Sequence, residues 1–240
     1  MIVETEYNSR WWGERFGKVT DAAFFQRSRA KIRADLDAFS VVEFATDDLS
    51  CNQSAGLAEL GFWWADSQIP FRLNLRKYGK SDIPVHLNQI RLVSAKEVPF
   101  SLKASDLPVF RAERFLQLSG ATEQLLAQRY ANWSNDLIAA DPTLCLQAFK
   151  AGSDTPIGWF LGRALSASTI ELTLAMNAPA SPGTGGQLYE AALHHFGKAG
   201  FRLGQAAFSV QNTDVMNLYS HLGAKFQAPT HVWMWQRKAI

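Results

Sequence analysis

Cysteine is scarce: Cys51 and Cys145 are the only two in 240 residues. They lie far apart and carry no metal-ligand spacing, which excludes a disulfide framework and suits a reducing compartment. Neither sign of charge dominates, with 24 basic against 22 acidic residues. The densest basic stretch, Arg27, Arg29, Lys31 and Arg33, reads as the polar face of an amphipathic helix. It has no interleaved aromatic platform and so does not suggest a nucleic-acid surface. No run approaches the ~18 apolar residues of a membrane span. The start, Met1-Ile2-Val3-Glu4, lacks a basic segment leading into an apolar one. The expectation is a soluble, cytoplasmic protein with neither nucleic acid nor membrane as partner. Ser/His/Asp series, HExxH and paired cysteines are missing too, so neither metal nor covalent chemistry is expected.

Hydrophobic side chains are plentiful at 47%, among them 16 Phe, 8 Trp and 5 Tyr. A chain of this length and composition buries a sizeable core in one or two units. Periodicity predicts a helix over Asp21 to Asp37, a short strand from Val41 to Phe44 and a helix over Gln53 to Leu60. Asn52 is the expected cap of the last and Gly61 its stop. Phe71, Leu73 and Leu75 alternate with polar residues as in a half-buried strand. The polar stretch from Lys77 to Asp82 reads as a linker, giving an N-terminal unit over 1–82 and a second over 83–240. In the second, a strand near Gln89 to Val93 and a helix over Ala121 to Ala140 precede three consecutive strands: Leu144 to Lys150, Ile157 to Arg163 and Thr169 to Met176. A Gly-rich turn over 182–186 leads into a helix ending near Lys198. Ala206 to Val210 is a strand, Thr213 to Leu222 a helix stopped by Gly223, and His231 to Gln236 a last strand. This order predicts an α/β fold with a mixed sheet. A loose internal repeat sets Asn52, Gly61 and the strand Phe71 to Leu75 against Asn212, Gly223 and the strand Val232 to Trp235.

The chemistry concentrates between Ile170 and Phe226. Gly183, Gly185 and Gly186 stand at a strand-to-helix turn, where unpaired N–H groups and the positive end of a helix suit a pyrophosphate. The spacing is not G-x-G-x-x-G, and no βαβ unit opens the region, which argues against a dinucleotide fold. Asn212 and Tyr219 follow, two helical turns apart, with Gly223 closing the helix. The alternative for the glycines is a tight turn that binds nothing, and for Tyr219 a core aromatic.

On these residues the chain resembles the GNAT (GCN5-related N-acetyltransferase) superfamily. The resemblance implies a mostly antiparallel mixed sheet flanked by helices, with acetyl-CoA as acyl donor and a small-molecule amine as acceptor. It implies that Gly183, Thr184, Gly185, Gly186 and Gln187 cradle the coenzyme A pyrophosphate. Leu174, Ala175 and Met176 would pair with the pantetheine arm, Asn212 would hydrogen-bond it, and Tyr219 would protonate the departing thiolate. Glu171, on the strand before the turn, is the candidate base. Ala180 and Pro182 depart from the family turn, which carries Gln or Arg there, and Pro182 has no N–H to offer. Trp11-Trp12-Gly13-Glu14-Arg15-Phe16-Gly17, Ala58-Glu59-Leu60-Gly61-Phe62, Glu113-Arg114-Phe115 and Arg129-Tyr130-Ala131-Asn132-Trp133 look like dTDP-fucosamine acetyltransferase-like members. That group places a truncated GNAT-like unit before the full one, and it implies an amino-sugar acceptor. The resemblance allows a homodimer. The rival reading is a GNAT-shaped binding module that has lost catalysis, favoured by Ala180 and Pro182.

Overall fold

A computed structural model describes residues 1–47, 50–110 and 113–237 of the chain, and the side chains of Cys51 and Asn52 lie outside the described set. It is an α/β structure built on one mixed sheet. The strands are β1 (Ile2–Glu4), β2 (Phe16–Val19), β3 (Val41–Thr46), β4 (Trp63–Asn74), β5 (Ile90–Ser94), β6 (Cys145–Lys150), β7 (Pro156–Ser166), β8 (Thr169–Asn177), β9 (Leu203–Ser209), β10 (Lys225–Phe226) and β11 (Thr230–Gln236). The helices are α1 (Glu6–Trp12), α2 (Arg29–Leu36), α3 (Cys51–Glu59), α4 (Arg76–Lys80), α5 (Glu123–Ala140), α6 (Gly185–Lys198) and α7 (Thr213–His221). Among the described residues no helix is long and apolar enough to cross a membrane.

The sheet order is β1-β2-β3-β11-β4-β9-β8-β7-β6-β5, with β10 on β4. Only β2–β3 and β8–β9 pair in parallel among the described strands. Each parallel pair is followed by the same local sequence: strand, short helix, a glycine with positive φ, strand. Gly61 (φ 89°) closes α3 and Gly223 (φ 75°) closes α7, in a backbone region where a Cβ is strained. The inserted strand in each case comes from the other half of the chain. β11 lies between β3 and β4 in the first half. In the second, the latter part of β4, Gln68 to Asn74, lies against β9. The ends of the chain are thereby locked into one sheet.

Several sequence expectations change. The helix expected over 21–37 is a 3-10 turn (Ala22–Gln26) followed by α2, because Asp21 and then Ser28 each start a new segment. Ser50, rather than Asn52, caps α3, its Oγ accepting from the Gln53 N–H at 3.4 Å. The expected linker is mostly α4, which packs on α6 where Gly79 meets Gly197. A Cβ on Gly197 would lie 2.6 Å from the Gly79 nitrogen. Two small residues permit that approach, so the polar run is docked and not free. β1, α1 and β2 were not expected at all: they are short, and their apolar residues show no sustained period.

One buried cluster joins Phe71, Leu73, Leu75 and Tyr78 to Leu146, Phe160, Leu172, Leu188, Phe196 and Tyr219 beneath α6 and α7. The opposite face of the same strands packs Trp159, Leu161 and Met176 against α5. Val19, Phe24, Ile32, Val42, Leu57 and Trp233 form a core in the first half.

Candidate active site

The site begins where two strands part. β8 and β9 pair in parallel only over Thr169↔Leu203, Ile170↔Gly204 and Glu171↔Gln205. Beyond Glu171, β8 pairs with β7 alone and β9 with β4 alone. The backbone of β8 from Leu172 onward therefore has an edge unpaired toward the gap, and a buried unpaired N–H or C=O needs a partner. A bulge lies at the fork. Leu161 faces Leu174 and Arg163 faces Glu171, so Leu172 and Thr173 together oppose Gly162. The extra residue reverses the alternation: Ile170 and Leu172 join the core under α6, while Leu174 and Met176 face α5.

The gap opens into a cleft of about 620 Å³. Leu174 and Ala175 line it, as does Asn212. Met176 does not: it is buried on the α5 side. Asn212 caps α7, its Oδ1 accepting from the Val215 N–H at 3.2 Å, which leaves its amide NH₂ uncommitted to that bond. Tyr219, on α7, also lines the cleft and is buried. Its ring lies on Phe71 (centroids 3.9 Å apart) and meets Tyr189 edge-on at 5.3 Å. The Tyr189 and Tyr219 hydroxyls lie near enough to influence each other's ionisation. Burial, reinforced by Tyr189, pushes the Tyr219 hydroxyl well above its ordinary value near 10. Burial likewise raises Tyr189, to about 12.

Gly183, Thr184, Gly185, Gly186 and Gln187 stand just past the end of β8, outside the cleft lining, where α6 starts. Gly183 has φ 79°, and a Cβ at Gly183 or Gly186 would meet nothing within 4 Å. The Thr184 hydroxyl donates to the Ser181 carbonyl at 2.8 Å and does not cap the helix. The start of α6 thus has no side-chain cap, and Gly183 and Gly186 border open space. This end of the fold fits a pyrophosphate at the α6 amides and an extended arm along the β8 edge, with Pro182 removing one donor.

Glu171 is placed differently from its expected role. It is ion-paired to Arg163 at 2.7 Å and does not line the cleft. It lies where β8 is still paired on both edges, with Arg163 and Gln205, before the fork opens. The carboxylates on the cleft wall are instead Asp66, Glu113 and Asp214. Asp66 is buried on β4, beside a second bulge at Ala65. It accepts from the Ser67 N–H (2.8 Å), the Ser209 hydroxyl (2.7 Å) and the Gln68 amide. Glu113 accepts from the Tyr130 hydroxyl. Burial first, then the Glu113 charge, holds that phenol protonated far above its ordinary range. Arg114 is bound to Glu43 of β3 by two hydrogen bonds, at 3.0 and 3.1 Å.

The sequence had flagged Glu113, Arg114, Arg129, Tyr130 and Trp133 only through resemblance, and Asp66, Gln68 and Tyr189 not at all. Their signal is long-range. Asp66 and Ser209 meet across 143 positions. The histidines serve packing: His194 is buried with Nδ1 3.0 Å from the Tyr78 carbonyl, and His231 Nδ1 lies 2.6 Å from the Ser67 hydroxyl. Burial lowers the His195 imidazole. Cys145 is free and buried, its thiol pushed up to about 12, chiefly by burial. Among the described residues no group of three or more His, Cys, Asp or Glu is placed to hold a metal ion.

No family model matches the chain, and no curated protein does. Solved structures do. A GCN5-related N-acetyltransferase from Sphaerobacter thermophilus aligns over 100% of this chain and 76% of its own, at 13% identity and a TM-score of 0.59. A tandem GNAT protein from the clavulanic acid biosynthesis pathway aligns over 94% and 76%, at 11% identity and 0.53. The glucosamine N-acetyltransferase region of a fungal multi-domain GH3 β-N-acetylglucosaminidase aligns over 98% of this chain and 31% of that one, at 10% identity and 0.59. With its mixed sheet, forked parallel strands and flanking helices, the chain has the fold of the GCN5-related N-acetyltransferases.

Proposed function

We propose that the protein transfers an acyl group, most simply acetyl, from acyl-coenzyme A to a primary amine. The observation that carries this reading is the fork between β8 and β9, with Tyr219 buried in the cleft beneath it. The donor supplies an activated thioester. Leu174, Ala175 and the α6 amides hold its arm and pyrophosphate, and Asn212 offers its NH₂ to the arm. β8 has no β9 partner at the Leu172–Thr173 bulge, and a backbone N–H offered to the gap there stabilises negative charge on a carbonyl oxygen, an effect typically worth about 3 kcal/mol per donor.

Tyr219 supports a leaving thiolate in a particular way. Its hydroxyl is raised further above the ~8.5 of a thiol than an ordinary phenol is, so it keeps its proton and stabilises sulfur by donating a hydrogen bond. The amine enters from the β4 side, where the carboxylates of Asp66 and Glu113 attract a cation, and Glu113 replaces Glu171 as the group nearest to a base. An amino sugar, free or nucleotide-linked, is the proposed acceptor. The resemblance to dTDP-fucosamine acetyltransferases and the likeness to a glucosamine N-acetyltransferase region both support it. Such a protein acts in the cytoplasm, where acetyl-CoA is made.

Thermal unfolding with acetyl-CoA, desulfo-CoA and ATP tests the donor assignment. At ~100 Kd a ligand adds about 2.7 kcal/mol, a rise of a few degrees. A shift with both coenzyme A compounds and none with ATP is expected. No shift at millimolar acetyl-CoA overturns the donor assignment and leaves the binding-module reading, which the missing Pro182 N–H favours.

A further inference from the structure

Among the described residues two guanidiniums line the cleft, and one of them is neutralised. Arg114 lies 3.0 Å from the Glu43 carboxylate and 3.9 Å from that of Glu113. Arg129, on α5, enters none of the ion pairs formed among the described residues. It is 9% exposed, its Nε is buried without a hydrogen-bond partner, and its one side-chain hydrogen bond is a long 3.4 Å contact to Asn8. Aromatic rings surround it instead, with Phe115 at 4.5 Å and Tyr7, Tyr130, Trp11 and Trp133 between 5.3 and 5.8 Å.

Cation–π contacts offset part of the desolvation, but they use the faces of rings and leave N–H donors unfilled. A buried charge without a counter-ion is costly, and natural structures keep one mainly where a partner arrives. The guanidinium fork is also the group best shaped for a planar two-oxygen anion. α1 supplies Tyr7, Asn8 and Trp11 and so fixes Arg129 from the N-terminal half, whose β4 contributes Asp66 to the same cleft.

We infer that Arg129 is an anion-recognition residue of the acceptor subsite, and that the acceptor carries an oxyanion (phosphate or carboxylate) besides its amine. The amine is drawn by Asp66 and Glu113 and the anion by Arg129, so the site selects a molecule bearing both charges. This rests on the acyl-transfer reading, since it takes the cleft beneath the β8–β9 fork as the acceptor's entrance.

Matched probes test it. Glucosamine 6-phosphate against glucosamine isolates the phosphate, and 4-aminobutyrate against butylamine isolates the carboxylate. Each is titrated at constant ionic strength, with and without desulfo-CoA, and followed by thermal shift and tryptophan fluorescence. Wild type is expected to bind at least one anionic member on the order of tenfold more tightly than its neutral-tailed partner. Which pair shows the preference names the oxyanion. Arg129→Met keeps an apolar stem among the rings and should erase the preference, and Arg129→Lys should restore it only in part. The acetyl-CoA shift should survive in both variants, which shows that they fold. Equal binding within both pairs, a preference that persists in Arg129→Met, or no binding of any probe overturns the inference. Failure of the donor reading shows separately, as a missing coenzyme A shift in wild type.

Discussion

The two halves of the chain use one plan and reach opposite results. In the first half, all four residues of β2 pair with β3, from Phe16↔Val41 to Val19↔Phe44. A Cβ on Gly17 would lie 2.6 Å from Ile2 and 2.9 Å from Phe39, so that face is closed by side chains. In the second half, β8 runs to nine residues and pairs with β9 over only three. The position four before the closing glycine is Leu57 in one and Tyr219 in the other, and both are buried. Length of the leading strand, a bulge and one hydroxyl separate a packed core from a cleft. The closed half is not idle: its β4 puts Asp66 and Gln68 on the cleft wall, its Glu43 holds Arg114, and its Tyr7 and Trp11 pack against Arg129.

The most disruptive test removes the strand exchanged between the halves. A chain ending at Pro229 loses β11, which pairs with β3 from Val41 to Thr46 and with β4 from Trp63 to Gln68. Val232, Trp233 and Met234 are all buried. Loss of cooperative thermal unfolding is expected, read by circular dichroism, because two inner strand edges and two apolar clusters are uncovered at once. A cooperative melt with an intact acetyl-CoA shift would show that the second half stands alone.

Next come the paired positions. Leu57→Ala should lower stability by about 2–5 kcal/mol through a cavity and leave the acetyl-CoA shift in place. Tyr219→Phe should lose little stability while turnover falls by roughly 10²-fold or more with coenzyme binding kept. The pH profile sharpens this. Because the Tyr219 hydroxyl is raised in the folded state, it stays protonated above 10, and activity should not decline there on its account. Stability behaves differently: the preference for neutral Tyr189 is fully present below an unfolded pKa near 10 and is lost as pH rises through about 12. An activity that survives Tyr219→Phe, or that titrates away below pH 9 with this phenol, breaks the distinction between the two halves.

What the sequence made legible follows the range of the interactions. The strands β6 to β8, the helices α5 to α7 and the stops at Gly61 and Gly223 rest on local periodicity and backbone freedom, and each appears near its expected place. Asn212 and Tyr219 could be paired because they share one helix. Glu171 lies outside the cleft because β8 and β9 part only after it, and no local period marks where two strands separate. The 77–82 run looked like a linker because its docking depends on Gly79 meeting Gly197, 118 residues away by their numbers. Arg129 was a plain helix residue until α1 and the cleft closed around it.

The smallest expected effect concerns Pro182, which has no counterpart in the closed half. Ser181-Pro182-Gly183-Thr184 places Pro before a glycine at φ 79°, the pattern of a type II turn that fixes the entry to α6. Proline preorganises this turn at the expense of one amide. Pro182→Ala should therefore cost about 0.4–1 kcal/mol of stability without ligand, by freeing the unfolded chain. It should also return an N–H beside the α6 amides and tighten acetyl-CoA by a few fold, of the order of one typical net hydrogen bond of about 0.5–1.5 kcal/mol. Opposite signs in the two readouts are the point of the measurement. If acetyl-CoA binding weakens along with stability, turn geometry matters more than the missing donor, and the departure at Pro182 is an adaptation of the loop rather than a loss. If binding tightens while stability falls, the chain has exchanged donor affinity for a stiffer turn.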